Sequence, residues 1–99
     1  MRTYMQRTSK KNQTAPLYDA ILTLKTREEA AALLRDLCTP AEIEAFAERF
    51  AIARLLSRDM SYRDVADELG ASVTTVSRVS HWVMHGTGGY RTVLSRFKK

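Results

Sequence analysis

The amino-acid sequence predicts an all-α fold of about six helices arranged around a central helix-turn-helix. Apolar residues recur every three or four positions through most of the chain, which is the spacing of one helix face. Capping residues and one glycine delimit two short helices within residues 61–84. Only two prolines and four glycines occur among 99 residues, so few positions interrupt helical structure. This pattern predicts a single helical domain over residues 15–99.

Positive charge is concentrated at the two ends of the chain. Residues 1–14 carry +4, residues 86–99 carry another +4, and the stretch between them carries −3. Residues 1–14 also lack an apolar period, so we expect a flexible basic N-terminal arm. Both ends could contact the phosphates of a duplex without reading its sequence. Alternatively, the charge only keeps the protein in solution.

Two helices are predicted first. One begins at Pro16, where apolar residues start to recur at helical spacing, and ends near Lys25. Thr26 and Glu29 then have the spacing of a capping box, in which each side chain bonds backbone N–H groups at the helix start. A second helix should therefore begin at this point.

The third helix is the longest one predicted. Thr39 stands at its cap and Pro40 at its first helical position, where a missing N–H costs nothing. The helix should run to about Ser57 and form the centre of the core. Its apolar positions are Ile43, Phe46, Ala47, Phe50, Ala53 and Leu56.

The residues that begin and end the helices of the central helix-turn-helix lie within the motif itself. Ser61 and Ser72 can each cap a helix through a hydroxyl. Gly70 stands where the chain leaves the first helix and can adopt a positive φ with little strain. Ala66 falls where the two helices should cross, a place that requires a small side chain. After the motif, glycines form a flexible loop, and a last amphipathic helix follows it.

The second helix of this motif has a polar outer face that suits DNA. Hydroxyls and one arginine can hydrogen-bond base edges and phosphates in a major groove. The alternative is an ordinary solvated face of a helical hairpin. The side chains of this face are Thr74, Thr75, Ser77, Arg78 and His81.

Composition argues against several other classes of protein. No apolar run is long enough to cross a membrane and no signal peptide is evident, so we expect a cytoplasmic protein without a membrane partner. One cysteine cannot form an internal disulfide. His81 and His85 have the spacing of a metal pair, but no HExxH glutamate or further ligand cluster accompanies them. We therefore predict a protein that is not an enzyme and has no metal or other cofactor.

Several motifs resemble the Trp repressor superfamily. Those over residues 37–84 are Thr39-Pro-Ala-Glu42, Glu44-Ala45, Arg49, Met60-Ser61, Arg63, Glu68-Leu-Gly-Ala71 and Thr75-Val-Ser-Arg78. Leu17-Tyr18, Asp36-Leu-Cys-Thr39 and Gly89-Tyr90 are similar to the YerC/YecD-like branch of that superfamily. The likeness thus covers most of the chain.

This resemblance implies a sequence-specific transcriptional regulator that binds double-stranded DNA. An intertwined homodimer would act in the cytoplasm as a repressor on a palindromic operator. Arg63 would contact the DNA backbone, and Val73 would face bases together with Thr74 and Ser77. The predicted DNA-binding residues are therefore Arg63, Ser72, Val73, Thr74, Thr75, Ser77, Arg78 and His81.

The resemblance also implies an effector pocket, formed by Thr39, Arg49, Arg78, Val79 and Trp82. Two arginines hold tryptophan in the Trp-binding repressors, but Val79 replaces a glycine here and Trp82 replaces a serine. We therefore expect an unknown small-molecule effector, if any, and no strong binding of free tryptophan. Core packing is the preferred role for Trp82, ahead of filling this pocket. Arg49 could equally join a surface ion pair.

A second function fits the same motif. Helix-turn-helix units also serve as protein-binding parts of the transcription machinery, including sigma-like subunits. Such a module would have no sequence-specific DNA readout of its own, and changing Thr74, Ser77 and Arg78 would leave its DNA affinity unaltered.

Overall fold

The computed structural model describes residues 10–97, which contain six α-helices and no strand. The predicted all-α fold of about six helices is confirmed. Contacts divide the chain into two compact units, residues 1–39 and 40–99, and the single domain expected over 15–99 stays a prediction. The helices are α1 (Lys10–Leu22), α2 (Arg27–Leu37), α3 (Pro40–Leu56), α4 (Tyr62–Leu69), α5 (Val73–His85) and α6 (Gly89–Arg96).

Helix α1 begins earlier than the sequence pattern predicts. Pro16 lies inside it, at the seventh position, so the predicted start at Pro16 was wrong. Residues 10–14, which we assigned to a flexible arm, are helical, and residues 1–9 of that arm lie outside the described part. Residues 10–15 contain no apolar repeat, although the Lys, Gln and Ala residues among them favour a helix. Apolar periodicity reports which face is buried, so it cannot detect a helix turn that buries nothing.

Helix α2 starts with the predicted capping box. The Glu29 backbone N–H donates to Thr26 Oγ1 at 3.0 Å, and the Lys25 N–H donates to Glu29 Oε1 at 2.8 Å. No described side chain between residues 12 and 39 is buried. Over residues 12–39, the first unit therefore has large apolar side chains at its surface and no core of its own. These are Leu17, Tyr18, Ile21, Leu22, Leu34 and Leu37.

The second unit is built on α3, which contacts α4, α5 and α6. Further contacts join α4 to α5 and α5 to α6. The core lies against the C-terminal half of α3, while Phe46 in the first half remains 45% exposed. The buried apolar residues of this core are Ile52, Ala53, Val65, Ala66, Val76 and Val79.

The turn between α4 and α5 forms as the sequence predicts. Ser61 Oγ and Ser72 Oγ each accept a 3.0 Å hydrogen bond from the N–H three residues later, which caps both helices. Gly70 has φ 67° and ψ 30°, the left-handed conformation that closes α4. Ala66 is only 5% exposed, because it sits in the core between the helices. Together α4 and α5 form the predicted helix-turn-helix.

Helix α6 returns to α3 after a short glycine-containing turn. Gly88, with φ 94°, precedes the helix, and Gly89 is already its first residue. The ring of Phe97 meets the ring of Phe50 edge-on, with 5.3 Å between centroids. This contact joins the end of α6 to the middle of α3.

Candidate nucleic-acid interface and adjoining cavity

The outer face of α5 presents polar side chains to solvent. Thr74, Ser77, Arg78 and His81 are all exposed. They recur every three or four residues, so they form one stripe along the helix. The face predicted from sequence is therefore accessible to a ligand as large as a duplex.

The Thr74 and Ser77 hydroxyls make no hydrogen bond to any residue that the structure describes. Elsewhere in the chain, three Thr or Ser hydroxyls donate to the carbonyl three residues earlier. Thr23, Ser57 and Ser95 do so at 2.7, 2.6 and 2.8 Å. Thr74 and Ser77 differ from these three, so their hydroxyls remain available to an external partner.

Two predicted DNA-binding residues are engaged in the helix cap. Ser72 Oγ accepts from the Thr75 N–H at 3.0 Å and lies 2.9 Å from Thr75 Oγ1. Thr75 is also half-buried, whereas Val73, between them, is 46% exposed. Ser72 and Thr75 therefore order the start of α5, and Val73 projects from it.

The charge of α5 favours an anionic partner. Helix α5 contains no Asp or Glu, and its positive dipole end carries no acidic residue in the first turn. Arg78 makes no ion pair with a residue between 12 and 97. Arg63, the predicted backbone contact, is exposed on α4. These guanidinium groups are free to approach phosphates.

His81, on this face, lies close to two other rings of α5. The His81 ring lies 5.0 Å from the His85 ring and 5.8 Å from the Trp82 ring, measured between centroids. Among the described residues, no group of three or more His, Cys, Asp or Glu side chains is arranged to hold a metal ion. The pair lacks the third ligand that protein zinc sites require.

A cavity of about 960 Å³ opens between α3, α5 and α6. It brings together four of the five residues predicted to form an effector pocket. Thr39 belongs to the first structural unit, and its part in the pocket stays a prediction. The four residues at the cavity are Arg49, Arg78, Val79 and Trp82.

Trp82 does not pack in the core. Its side chain is 60% exposed, so the preferred core-packing role was wrong. The buried face of α5 is formed by Val76, Val79 and Ser80, and Trp82 lies to one side of that face. Its indole approaches Gly86, where an added Cβ would lie 3.1 Å from the indole Cε3. The indole therefore forms a wall of the cavity.

Arg49 contacts an aromatic ring instead of an acid. Its guanidinium lies 5.9 Å from the centroid of the Phe46 ring, a cation–π contact. Within the described residues it forms no ion pair. Val79, only 4% exposed, closes the floor between Arg49 and Arg78 with an apolar side chain.

The sequence did not reveal the contribution of α6 to this cavity. Tyr90 and Val93 line it from α6, and Glu48 lines it from α3. The amphipathic pattern of residues 90–97 was visible, but periodicity does not indicate which helix an apolar face will pack against. Contact between α6 and both α3 and α5 supplies that information.

Comparison with known proteins identifies the family. The family model described as Trp repressor protein matches residues 12–98, nearly the whole chain. The chain belongs to the Trp repressor family. Trp repressor family members are regulatory DNA-binding proteins, and this chain is accordingly not an enzyme.

Individual Trp repressor relatives agree with this assignment. The chain is 39% identical over 83 residues to the uncharacterized protein YerC of Bacillus subtilis (strain 168), covering 84% of this chain and 80% of YerC. The crystal structure of a TrpR-like protein from Eubacterium eligens ATCC 27750 superposes with TM-score 0.78 at 38% identity, covering 86% of this chain and 91% of that one. A candidate Trp repressor from Staphylococcus aureus gives TM-score 0.79 at 37% identity, covering 85% and 84%.

The described helices also bear on membrane association. None of those within residues 10–97 has the length and apolarity that crossing a bilayer demands.

The predicted likeness to the Trp repressor superfamily and to its YerC-like branch is confirmed.

Proposed function

We propose that the protein is a sequence-specific transcriptional regulator, a repressor that acts as a homodimer on a palindromic operator. One observation carries this proposal. Helix α5 presents Thr74, Ser77 and Arg78 outward, with no hydrogen bond or ion pair to the described residues and with no acid on the helix. Arginine can bond guanine bidentately, and the hydroxyls can donate to or accept from neighbouring base edges. Arg63 would position α5 by contacting a phosphate.

The homodimer explains the exposed apolar side chains of the first unit. Leu22 is 81% exposed and Leu37 is 55% exposed, although residues 12–39 contain no core that could bury them. Short helices without a core are unstable in isolation, so burial against a second copy would stabilise them. A two-fold dimer presents two copies of α5, which would read half-sites about 34–36 Å apart along the duplex.

The dimer can be tested by sedimentation equilibrium of the full chain. We expect a species of twice the 11.2 kDa chain mass. Leu22→Asp should shift the equilibrium toward the monomer, because a charge would enter an apolar interface. Lys25→Asp, in the nearby exposed loop, is the matched control and should leave the mass unchanged. A wild-type protein that sediments as a monomer at high concentration contradicts the homodimer.

The DNA-binding proposal is tested by selecting binding sites from random duplexes. The wild-type protein should enrich a palindrome whose affinity falls steeply with salt. Arg78→Ala should weaken binding to that site by roughly 5- to 150-fold, the effect of losing a bidentate base contact. Arg35→Ala, an exposed arginine on α2, is the control and should have a much smaller effect.

A protein-interaction module is the second function that the fold permits. It predicts that no duplex is enriched and that Thr74→Ala, Ser77→Ala and Arg78→Ala change no DNA affinity. If the wild type enriches a site and these variants lose affinity for it, that module is excluded.

A DNA partner also accounts for the proposed cytoplasmic location.

We further propose that the cavity between α3, α5 and α6 binds a small-molecule effector other than free tryptophan. Arg49 and Arg78 would attract an anionic group, and Tyr90 and Val93 would contact its apolar part. An effector seated there would touch α5 directly, so it could alter the position of the DNA-contacting face.

A further inference from the structure

We propose a second, separate anion site that binds a small phosphorylated organic molecule. A cavity of about 410 Å³ lies beside the ends of α3 and α5 and is closed on one side by α6. Arg54, Arg58 and Arg91 all line it, and no Asp or Glu does. None of these residues lines the larger cavity that contains Arg49 and Arg78.

The three guanidinium groups of this cavity have no neutralising partner in the part of the chain that the structure describes. Within residues 12–97, none of the three forms an ion pair with a carboxylate. Like charges placed together repel one another, so a bound anion would lower the energy of the cluster. Three cations around one space favour a dianion such as a phosphate monoester over a single carboxylate. Planar guanidinium groups also match the oxygen geometry of phosphate.

Two of the arginines are held in place by other contacts. Arg91 Nε donates to the carbonyl oxygen of Val83 at 3.1 Å, which leaves its terminal nitrogens available. The Arg54 guanidinium lies 4.7 Å from the centroid of the Phe97 ring. Fixing a guanidinium before the ligand arrives reduces the entropy lost on binding.

The rest of the cavity wall is apolar. Val83, Leu94 and Phe97 line it, and Phe97 is 45% exposed. Inorganic phosphate would leave these side chains uncovered, whereas an organic phosphate would cover them with its carbon skeleton. The volume of the cavity is in the range of sites for small organic ligands.

The position of the cavity argues for a free ligand over the DNA backbone. Val83 follows Thr74 by nine residues, about two and a half helical turns, so the two lie on opposite faces of α5. A duplex held against Thr74 and Ser77 therefore faces away from this cavity. The anion site stands independently of the proposed DNA contact.

The test measures thermal unfolding of the full chain with inorganic phosphate or phenyl phosphate, against sodium chloride at equal ionic strength. Both phosphates should raise the unfolding temperature above the chloride value, because they bind the folded state. Phenyl phosphate should act at lower concentration. Calorimetric titration then gives the dissociation constants for the variants.

Arg58→Gln should weaken phosphate binding about tenfold, the effect of losing one charge-assisted hydrogen bond. Its side chain forms no hydrogen bond, ion pair or ring contact with a described residue, so the unfolding temperature in chloride should change little. Arg91→Gln should weaken phosphate binding to a similar degree, and Arg58→Lys should retain part of the affinity. Arg96→Gln on the same helix, which lines neither cavity, is the control and should bind phosphate normally.

Three results would overturn the site. Phosphate could stabilise no more than chloride does, or Arg58→Gln and Arg91→Gln could bind it as tightly as the wild type. The third is a loss of duplex affinity in these variants without any effect on phosphate binding, which would make the cluster a DNA-backbone contact. Failure of the DNA-binding proposal, by contrast, would leave phosphate binding unaffected.

Discussion

The Tyr62 hydroxyl on α4 donates a 2.6 Å hydrogen bond to Ser80 Oγ on α5. Ser80 is only 6% exposed, and its own hydroxyl donates to Met84 Sδ at 3.8 Å. This chain of polar contacts joins the two helices of the helix-turn-helix beside an otherwise apolar core. Because a buried hydroxyl is costly when unpaired, the contact favours one angle between α4 and α5.

Tyr62→Phe should lower the free energy of unfolding by about 1 kcal/mol, the usual effect of deleting one partner of a hydrogen bond. Urea denaturation measures this difference. Tyr90→Phe is the matched control, because the Tyr90 hydroxyl bonds no described residue. This variant should lower the free energy of unfolding much less. Equal losses in the two variants would show that the hydrogen bond does not stabilise the motif. A double-mutant cycle with Ser80→Ala isolates the coupling between the two side chains.

Gly86→Ala should destabilise the protein by about 1–3 kcal/mol, the range for forcing an extra methyl group into filled space. The added Cβ would lie 2.4 Å from the Trp82 carbonyl oxygen, which accepts the bond that ends α5. Thermal and urea unfolding both measure the loss.

Gly89→Ala provides the control for that substitution. An added Cβ at Gly89 meets nothing within 4 Å, and the residue is the first of α6. Alanine is the better helix former, so this variant should be unchanged or stabilised by up to about 1 kcal/mol. A larger loss in Gly89→Ala than in Gly86→Ala contradicts the geometry described for the α5–α6 turn.

Ser72→Asp should weaken DNA binding without lowering the stability of the protein. Aspartate can accept the Thr75 N–H as serine does, and its charge is favourable at a helix N-terminus, so stability should be retained. The same charge would repel DNA phosphates and weaken binding to the selected operator. Ser72→Ala should instead cost about 1 kcal/mol of stability through loss of the cap. Unchanged DNA affinity in Ser72→Asp would place the start of α5 away from the duplex.

Free tryptophan should not bind the wild-type protein at micromolar concentration. The Val79 side chain fills the floor of the cavity, and the Trp82 indole occupies one of its walls. The double variant that combines Val79→Gly and Trp82→Ser should have space for a ligand, so its tryptophan binding should become measurable. Isothermal titration calorimetry compares the two proteins. Micromolar binding by the wild type would refute the prediction.

The sequence determined the local features of this protein. The capping residues Thr26, Ser61 and Ser72 placed the starts of three helices, and Gly70 placed the turn between α4 and α5. Each feature depends on hydrogen bonds or dihedral angles within a few residues, so neighbouring residue types suffice to predict it. The polar face of α5 followed from its helical spacing, since positions three or four apart must share a side.

Only the tertiary structure decided which side chains meet across the helices. It placed Trp82 at a cavity instead of in the core, and it gathered Arg54, Arg58 and Arg91 around one space. It also showed that α1 extends back to Lys10 over residues with no apolar pattern. The surroundings of Trp82 and the arginine cluster depend on how α6 packs against α3 and α5, which joins residues as far apart in sequence as Phe50 and Phe97. Periodicity along a single helix contains no information about such distant partners.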